Sequence, residues 1–336
     1  MKRLVVTACA LSGLWSVELA PATEIPATAT SIAPATELPA TATSIAPATE
    51  VPATVTALAP VQSPAEIDES GPQFATPTTM DQIGRIVAPV MINGRGPFKL
   101  MVDTGANRSL ITTTVADALG LDYRSAPLVT MNGVTGSAVV PAVAIDRLEA
   151  GELVFTGLQV PVLPPHLVGQ ADGILGIAGL REQRLVVDFE RDRVTISKAK
   201  LWNSDLLRVD AHRVAGGLLA AKARVGRVRV IAVVDTGGQI TLGNRALQEA
   251  LRAEARDQIE VLGTTEAIVM GDTARVPDLD FGDVSIRRVR VTFGDFHIFD
   301  IWDLNDQPAL IIGMDVLGAL GAFMIDFRLA EIHFRA

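Results

Sequence analysis

Leu100-Met101-Val102-Asp103-Thr104-Gly105-Ala106 and Ala232-Val233-Val234-Asp235-Thr236-Gly237-Gly238 carry the same short message twice. In each, a run of apolar residues delivers an aspartate onto a Thr-Gly turn. A short apolar run closed by turn residues reads as a buried strand. A carboxylate at the end of such a strand is costly to bury without partners. Two of them facing each other across an axis would share one site and hold one water between them. A lone Asp-Thr-Gly is ordinary turn chemistry, so it is the pair that decides the fold.

Working outward, further landmarks recur in order. Asp103 lies 73 residues before Gly176 of Ile174-Leu175-Gly176, and Asp235 lies 78 before Gly313 of Ile311-Ile312-Gly313. Twelve residues beyond Gly176 comes Asp188-Phe189, and 13 beyond Gly313 comes Asp326-Phe327. The chain therefore reads as one lobe duplicated, and two copies pack about a pseudo-twofold axis as an identical pair would.

Between the landmarks the signals are short β-rich runs broken by Gly, Pro and Asn, which predicts an all-β protein with short helices. Ile86 to Ile92 and Phe98 to Val102 flank Asn93-Gly94-Arg95-Gly96, a hairpin turn because Asn and Gly accept positive φ. Ser109 to Thr112 returns as a strand and Thr114 to Leu119 as a helix. Gly133, Val134, Thr135 and Gly136 form the tip of a hairpin that is the candidate flap over the site. Leu153 to Leu163 is a further candidate strand pair. In the second half, Arg224 to Val234 turns near Gly226 and leads into Asp235. Ala246 to Ala255 has the apolar spacing of a helix. Leu262 to Val276 reads as a second hairpin, with its turn at Met270-Gly271-Asp272.

The start carries Lys2 and Arg3, an apolar run from Leu4 to Val17, and Ala20-Pro21-Ala22 as a cleavage site, so residues 1–22 are expected to be an export signal. Val6-Thr7-Ala8-Cys9 has the form of a lipidation box, but eight residues before the cysteine are too few for the usual leader regions. Cys9 is the only cysteine, so a processed chain would form no disulfide. A thirteen-residue repeat follows, Pro21 to Ala33, Pro34 to Ala46 and Pro47 to Ala59. Its Pro, Ala and Thr leave little apolar surface to stack, so residues 23–82 are expected to be a disordered linker. Two lobes are expected at 83–205 and 206–336. Periplasmic or secreted localisation and a monomer with no stable membrane insertion complete that expectation. Lys and Arg total 29 against 38 Asp and Glu, a net charge of −9, which argues against nucleic acid as a partner.

Two carboxylates meeting at an axis do not both ionise easily, so one keeps a proton and the pair supplies a base and an acid together. The four histidines lack metal-ligand spacing, Asp278, Asp280 and Asp283 lack that of a calcium loop, and no Ser or Cys nucleophile motif occurs. No metal or cofactor is expected. Asp188 and Asp326 read as turn residues, and Phe293, Phe296, Phe299 and Trp302 as core.

The two Asp-Thr-Gly segments with their distal apolar-apolar-Gly runs resemble retropepsin-type aspartic proteases, and Asp172-Gly173-Ile174-Leu175-Gly176 is similar to the matching pepsin segment. Both lobes stand in one chain, as in exported bacterial proteins of the aspartyl protease family. The resemblance implies a bilobal fold and an endopeptidase acting on a peptide or protein. It implies Asp103 and Asp235 as the catalytic pair, Thr104, Gly105, Ala106, Thr236, Gly237 and Gly238 as loop support, and Gly176 and Gly313 as packing positions beneath the loops. Gly238 departs from the usual Ala, Ser or Thr and is expected to loosen the second loop. That departure keeps open the alternative of a non-catalytic envelope protein that binds peptides in the cleft.

Overall fold

The computed structural model describes residues 6–7, 54–57, 79–80, 84–151, 153–191, 193–198 and 206–335. Most of the expected signal and linker, including Cys9 and the cleavage site, lies outside the described residues.

Each aspartate strand is the second arm of a hairpin. In the first lobe Ile86–Ile92 turns into Arg95–Asp103 through Asn93 at φ 49° and Gly94 at φ 74°. Both are left-handed, as a two-residue hairpin turn requires. Gly173–Gly176 then lies parallel beside the aspartate strand, pairing Gly173 with Leu100 and Gly176 with Asp103. Leu110–Thr112 closes the other side, with Gly173 opposite Ile111. The second lobe repeats the plan. Leu219–Val225 turns at Gly226 (φ 56°) into Val228–Val234, and Ala309–Ile312 lies parallel beside it, pairing Val234 with Ile312.

Strand alternation gives each aspartate strand two apolar faces. Val102 and Leu175 face the main core, a continuous cluster that also takes in Val234 and Ile312 of the second lobe. Met101 and Ile174 face a smaller cluster with Ala106, Leu110 and Met131. Phe293, Phe296, Phe299 and Trp302 are all buried in the main core, as expected from sequence.

A third sheet joins the lobes in the order Arg193–Lys198, Gln183–Asp188, Ala322–Asp326, Glu331–Arg335, Leu207–Val209. The two Asp-Phe landmarks meet here. Arg184 pairs in register with Asp326, and its Nη2 and Nε atoms lie 2.8 and 3.2 Å from Asp326 Oδ2. Asp326 is fully buried. Asp188 receives Arg191 at 3.0 Å and Arg335 at 3.4 Å. Both aspartates are thus structural, consistent with their reading as turn residues.

Three expectations change in detail. The helix expected at Ala246 to Ala255 is Arg245–Leu251, capped by Asn244 and stopped by Arg252 in the left-handed region. Leu153–Leu163 is one long strand paired along Gly136–Ala150, not a hairpin of its own. In the second lobe the hairpin arms are Asp257–Leu262 and Ile268–Arg275, so Met270-Gly271-Asp272 lies within an arm and the turn falls at 263–267. A Cβ on Gly271 would come 2.3 Å from Thr292 Cγ2, so that glycine serves close packing. Thr54–Ala57, in the third repeat, pairs antiparallel with Val284–Arg287 at the edge of the second lobe's sheet.

Removing Arg184 would strand a buried carboxylate between the lobes. Arg184→Ala is expected to lower unfolding stability by about 3–5 kcal/mol, read as a reduced urea midpoint, whereas the double variant Arg184→Met with Asp326→Leu recovers most of it.

Candidate active site

The site forms where the two Thr-Gly turns meet. Thr104 Oγ1 donates to Val234 O at 2.7 Å, and Thr236 Oγ1 donates to Val102 O at 2.7 Å. The backbone N–H of each threonine donates to the hydroxyl of the other, both at 3.1 Å. Four hydrogen bonds therefore cross the axis, each side the mirror of its partner. All four groups are buried, so each bond also answers a polar atom that would otherwise be costly to bury.

This lock brings each carboxyl group against the opposite turn. A Cβ added to Gly105 would lie 2.6 Å from Cγ of Asp235, and one added to Gly237 would lie 2.4 Å from Cγ of Asp103. Glycine is required at both places for want of room. Beneath the turns the packing is equally close. A Cβ on Gly176 would lie 2.4 Å from the backbone of Arg108, and one on Gly313 2.6 Å from that of Ile240. Ala106 is buried, and its carbonyl accepts the N–H of Ile177 at 2.8 Å.

Gly105 N–H donates to Asp103 Oδ1 at 2.8 Å. Asp235 Oδ1 accepts from Gly237 N–H at 2.9 Å and from Gly238 N–H at 3.1 Å. The expectation that Gly238 loosens its loop is therefore corrected. Its N–H holds the carboxylate, its carbonyl accepts from Met314 N–H at 2.8 Å, and a Cβ there would sit 3.0 Å from Asp235 Oδ2. Both aspartates are fully buried. Burial pushes the Asp235 carboxyl up to about 6, against hydrogen bonds from Asp103 and the two glycine N–H groups that favour its ionised form.

The hairpin tips meet each other. Gly133, Val134, Thr135 and Gly136 of the first lobe face Gly263, Thr264, Thr265 and Ala267 of the second, with Thr135 Oγ1 and Thr265 Oγ1 3.3 Å apart. The sequence reading placed only the first of these tips. Aligned on Asp103 and Asp235 and allowed a two-residue gap, the halves match Gly133-Val134-Thr135 to Gly263-Thr264-Thr265.

Asp315 also escaped that reading. It follows Gly313, is pushed up to about 6 by burial, and accepts from Thr241 Oγ1 at 2.8 Å. Thr241 Oγ1 in turn accepts from Gly313 N–H at 3.2 Å, and Asp315 N–H donates to Gln239 O at 3.1 Å. The carboxyl group thus braces the chain that leads out of the Asp235 loop. In the first lobe Ser109 Oγ accepts from Gly176 N–H at 3.2 Å, and Ala178 stands where a second carboxylate would. Among the described residues no group of three or more His, Cys, Asp or Glu is placed to hold a metal ion.

Two strand-borne aspartates locked face to face at the junction of two like lobes define an all-β, bilobal aspartic protease fold built from retropepsin-like lobes. The sequence model described as "Aspartyl protease" matches residues 88–178 and 221–316, one segment in each lobe and together more than half of the chain, and the chain belongs to that family. Among solved structures, a retropepsin-like aspartic protease from Rickettsia conorii is 20% identical, covering 36% of this chain and 86% of its own, with a TM-score of 0.27. No curated protein matches.

Asp315 gives the fold a pH dependence of definite sign. Its folded value is raised from 3.8 to about 6, so its contribution to stability is full below about 3.8 and is lost as pH rises through about 6. Calorimetry should show stability falling from pH 4 to 7, with a share on the order of 2–3 kcal/mol that Asp315→Asn removes. A variant with the wild-type slope would exclude Asp315 as its source.

Proposed function

We propose that this protein is an aspartic endopeptidase that hydrolyses peptide bonds with a water activated between Asp103 and Asp235. The observation that carries the reading is the reciprocal lock, which leaves two buried carboxyl groups lying against each other's turns. Such a pair holds one proton more readily than none. The ionised member takes a proton from water as the water oxygen bonds to the scissile carbonyl carbon, and the protonated member gives its proton to the carbonyl oxygen. When the tetrahedral carbon collapses, the first carboxyl passes its proton to the leaving nitrogen and the second recovers one from the diol. The dyad ends as it began.

The meeting hairpin tips support a roof over this site, which parts to admit an extended peptide and closes to exclude water. One chain supplies both aspartates, which favours a monomer. Lys2, Arg3 and the apolar run to Val17 favour export, so the substrate would be met outside the cytoplasm.

Asp103→Asn and Asp235→Asn each remove the shared proton while keeping size and shape. Each is expected to reduce cleavage of a peptide library by about 10³-fold or more across pH 3–8. A peptide analogue with a secondary hydroxyl at the scissile carbon should bind the wild type and protect it against heat. Full activity in either variant would sink the shared-water mechanism.

A further inference from the structure

The duplicated lobes carry equivalent hairpins that are not equally held. Resting on the reading of their tips as the roof of the dyad, we propose that His297 is a positioning residue anchoring the first hairpin, and that the second hairpin, Asp257–Arg275, is the gate that swings to admit substrate.

The first tip is held from inside and outside. Val134 is fully buried in the main core, and its carbonyl accepts the N–H of Ile298 in the opposite lobe at 3.4 Å. Beside it, the short helix His297–Ile301 presents an imidazole whose Nε2 lies 2.9 Å from Ser137 Oγ and 3.4 Å from Asn132 Oδ1. Ser137 Oγ donates its proton to Asn132 Oδ1 at 2.5 Å. Both oxygens next to the ring are therefore acceptors, which fixes the proton on Nε2 and makes His297 the donor to both arms of the hairpin.

The second hairpin takes Val6–Thr7 as a parallel neighbour at Val261 and Leu262, but the contacts of its tip are weaker than those of the first. Thr264 stands in the place of Val134, and its Oγ1 is buried with no hydrogen bond among the described residues. A buried hydroxyl in that state favours any movement that frees it. Glu266 sits at φ 63°, a left-handed conformation unfavourable for a residue with a side chain. The counterpart of His297 is His166, on the turn Pro165–Leu167, and its Nε2 reaches only Glu266 Oε1, at 3.6 Å. Those side chains are 65% and 63% exposed, and an ion pair so open to solvent holds little. The contact between Thr135 and Thr265 ties the tips to each other, so it breaks whichever hairpin moves.

Hydrogen–deuterium exchange on the full chain tests this without any turnover. In the wild type, amides of residues 263–268 should exchange about tenfold faster than those of 132–137. His297→Ala should raise exchange at 132–137 about tenfold and leave 263–268 unchanged, while His297→Gln, which keeps a donor, stays close to wild type. Thr264→Val, which keeps the shape and removes the hydroxyl, should slow exchange at 263–268 several-fold. If peptide cleavage is measurable, Thr264→Val should also lower kcat, by slowing the gate. Faster exchange in the first tip than in the second, or no response to His297→Ala, overturns the proposal. Absence of cleavage with the expected exchange pattern would count against the proposed hydrolysis alone.

Discussion

The constraint on which this structure depends is the burial of two carboxyl groups at one point. Neither Asp103 nor Asp235 has any exposed surface. What makes this tolerable is that backbone N–H groups answer the carboxylates locally, while the threonines answer one another across the axis. The lock has no independent half. Thr104 without the opposite turn would leave its hydroxyl and N–H unanswered in a buried place, so neither lobe can complete its own turn. The shared sheet with Arg184 and Asp326 then holds the lobes at the distance the turns require.

Because each lobe completes the other, the copies had to keep the same turns but were free to diverge elsewhere. Near the dyad the divergence is small and chemical. Gly238 replaces the alanine found at 106 and brings a second N–H onto Asp235. Asp315 and Thr241 brace the second loop where the first has Ala178 and Ser109. Further out it is larger, with Val134 against Thr264 at the tips. The centre is constrained from both sides at once and the periphery from one, which is the order expected if the axis hydrogen bonds dominate.

Much of this was legible in the chain. The apolar run before each aspartate, the Thr-Gly that follows and the distal glycine are local signals, and duplication gave each a second reading. Asn93-Gly94 marked its hairpin because only that turn chemistry fits. Where sequence reading failed, a glycine had a job other than turning. Gly271 is a packing position, and it drew the turn away from Gly263-Thr264-Thr265, whose threonines look like strand residues. Gly238 was read by what it lacks, a methyl group, when its contribution is a backbone donor brought close for want of one. Asp315 went unread because nothing local reveals that it is buried.

The same logic applies to the repeat. Its first two copies read Thr28-Ala29-Thr30-Ser31 and Thr41-Ala42-Thr43-Ser44, whereas the third reads Thr54-Val55-Thr56-Ala57. The change puts β-branched Val55 where the other copies have alanine, which favours a strand. Thr54–Ala57 of this third copy pairs with Val284–Arg287. An exposed sheet edge is a template for pairing with another chain, and a short strand from the same chain covers it. Composition alone made the three copies equivalent. Val55 and Ala57, two of the residues that set the third copy apart, fall on the segment with a partner, so Thr54–Ala57 belongs physically to the second lobe's sheet.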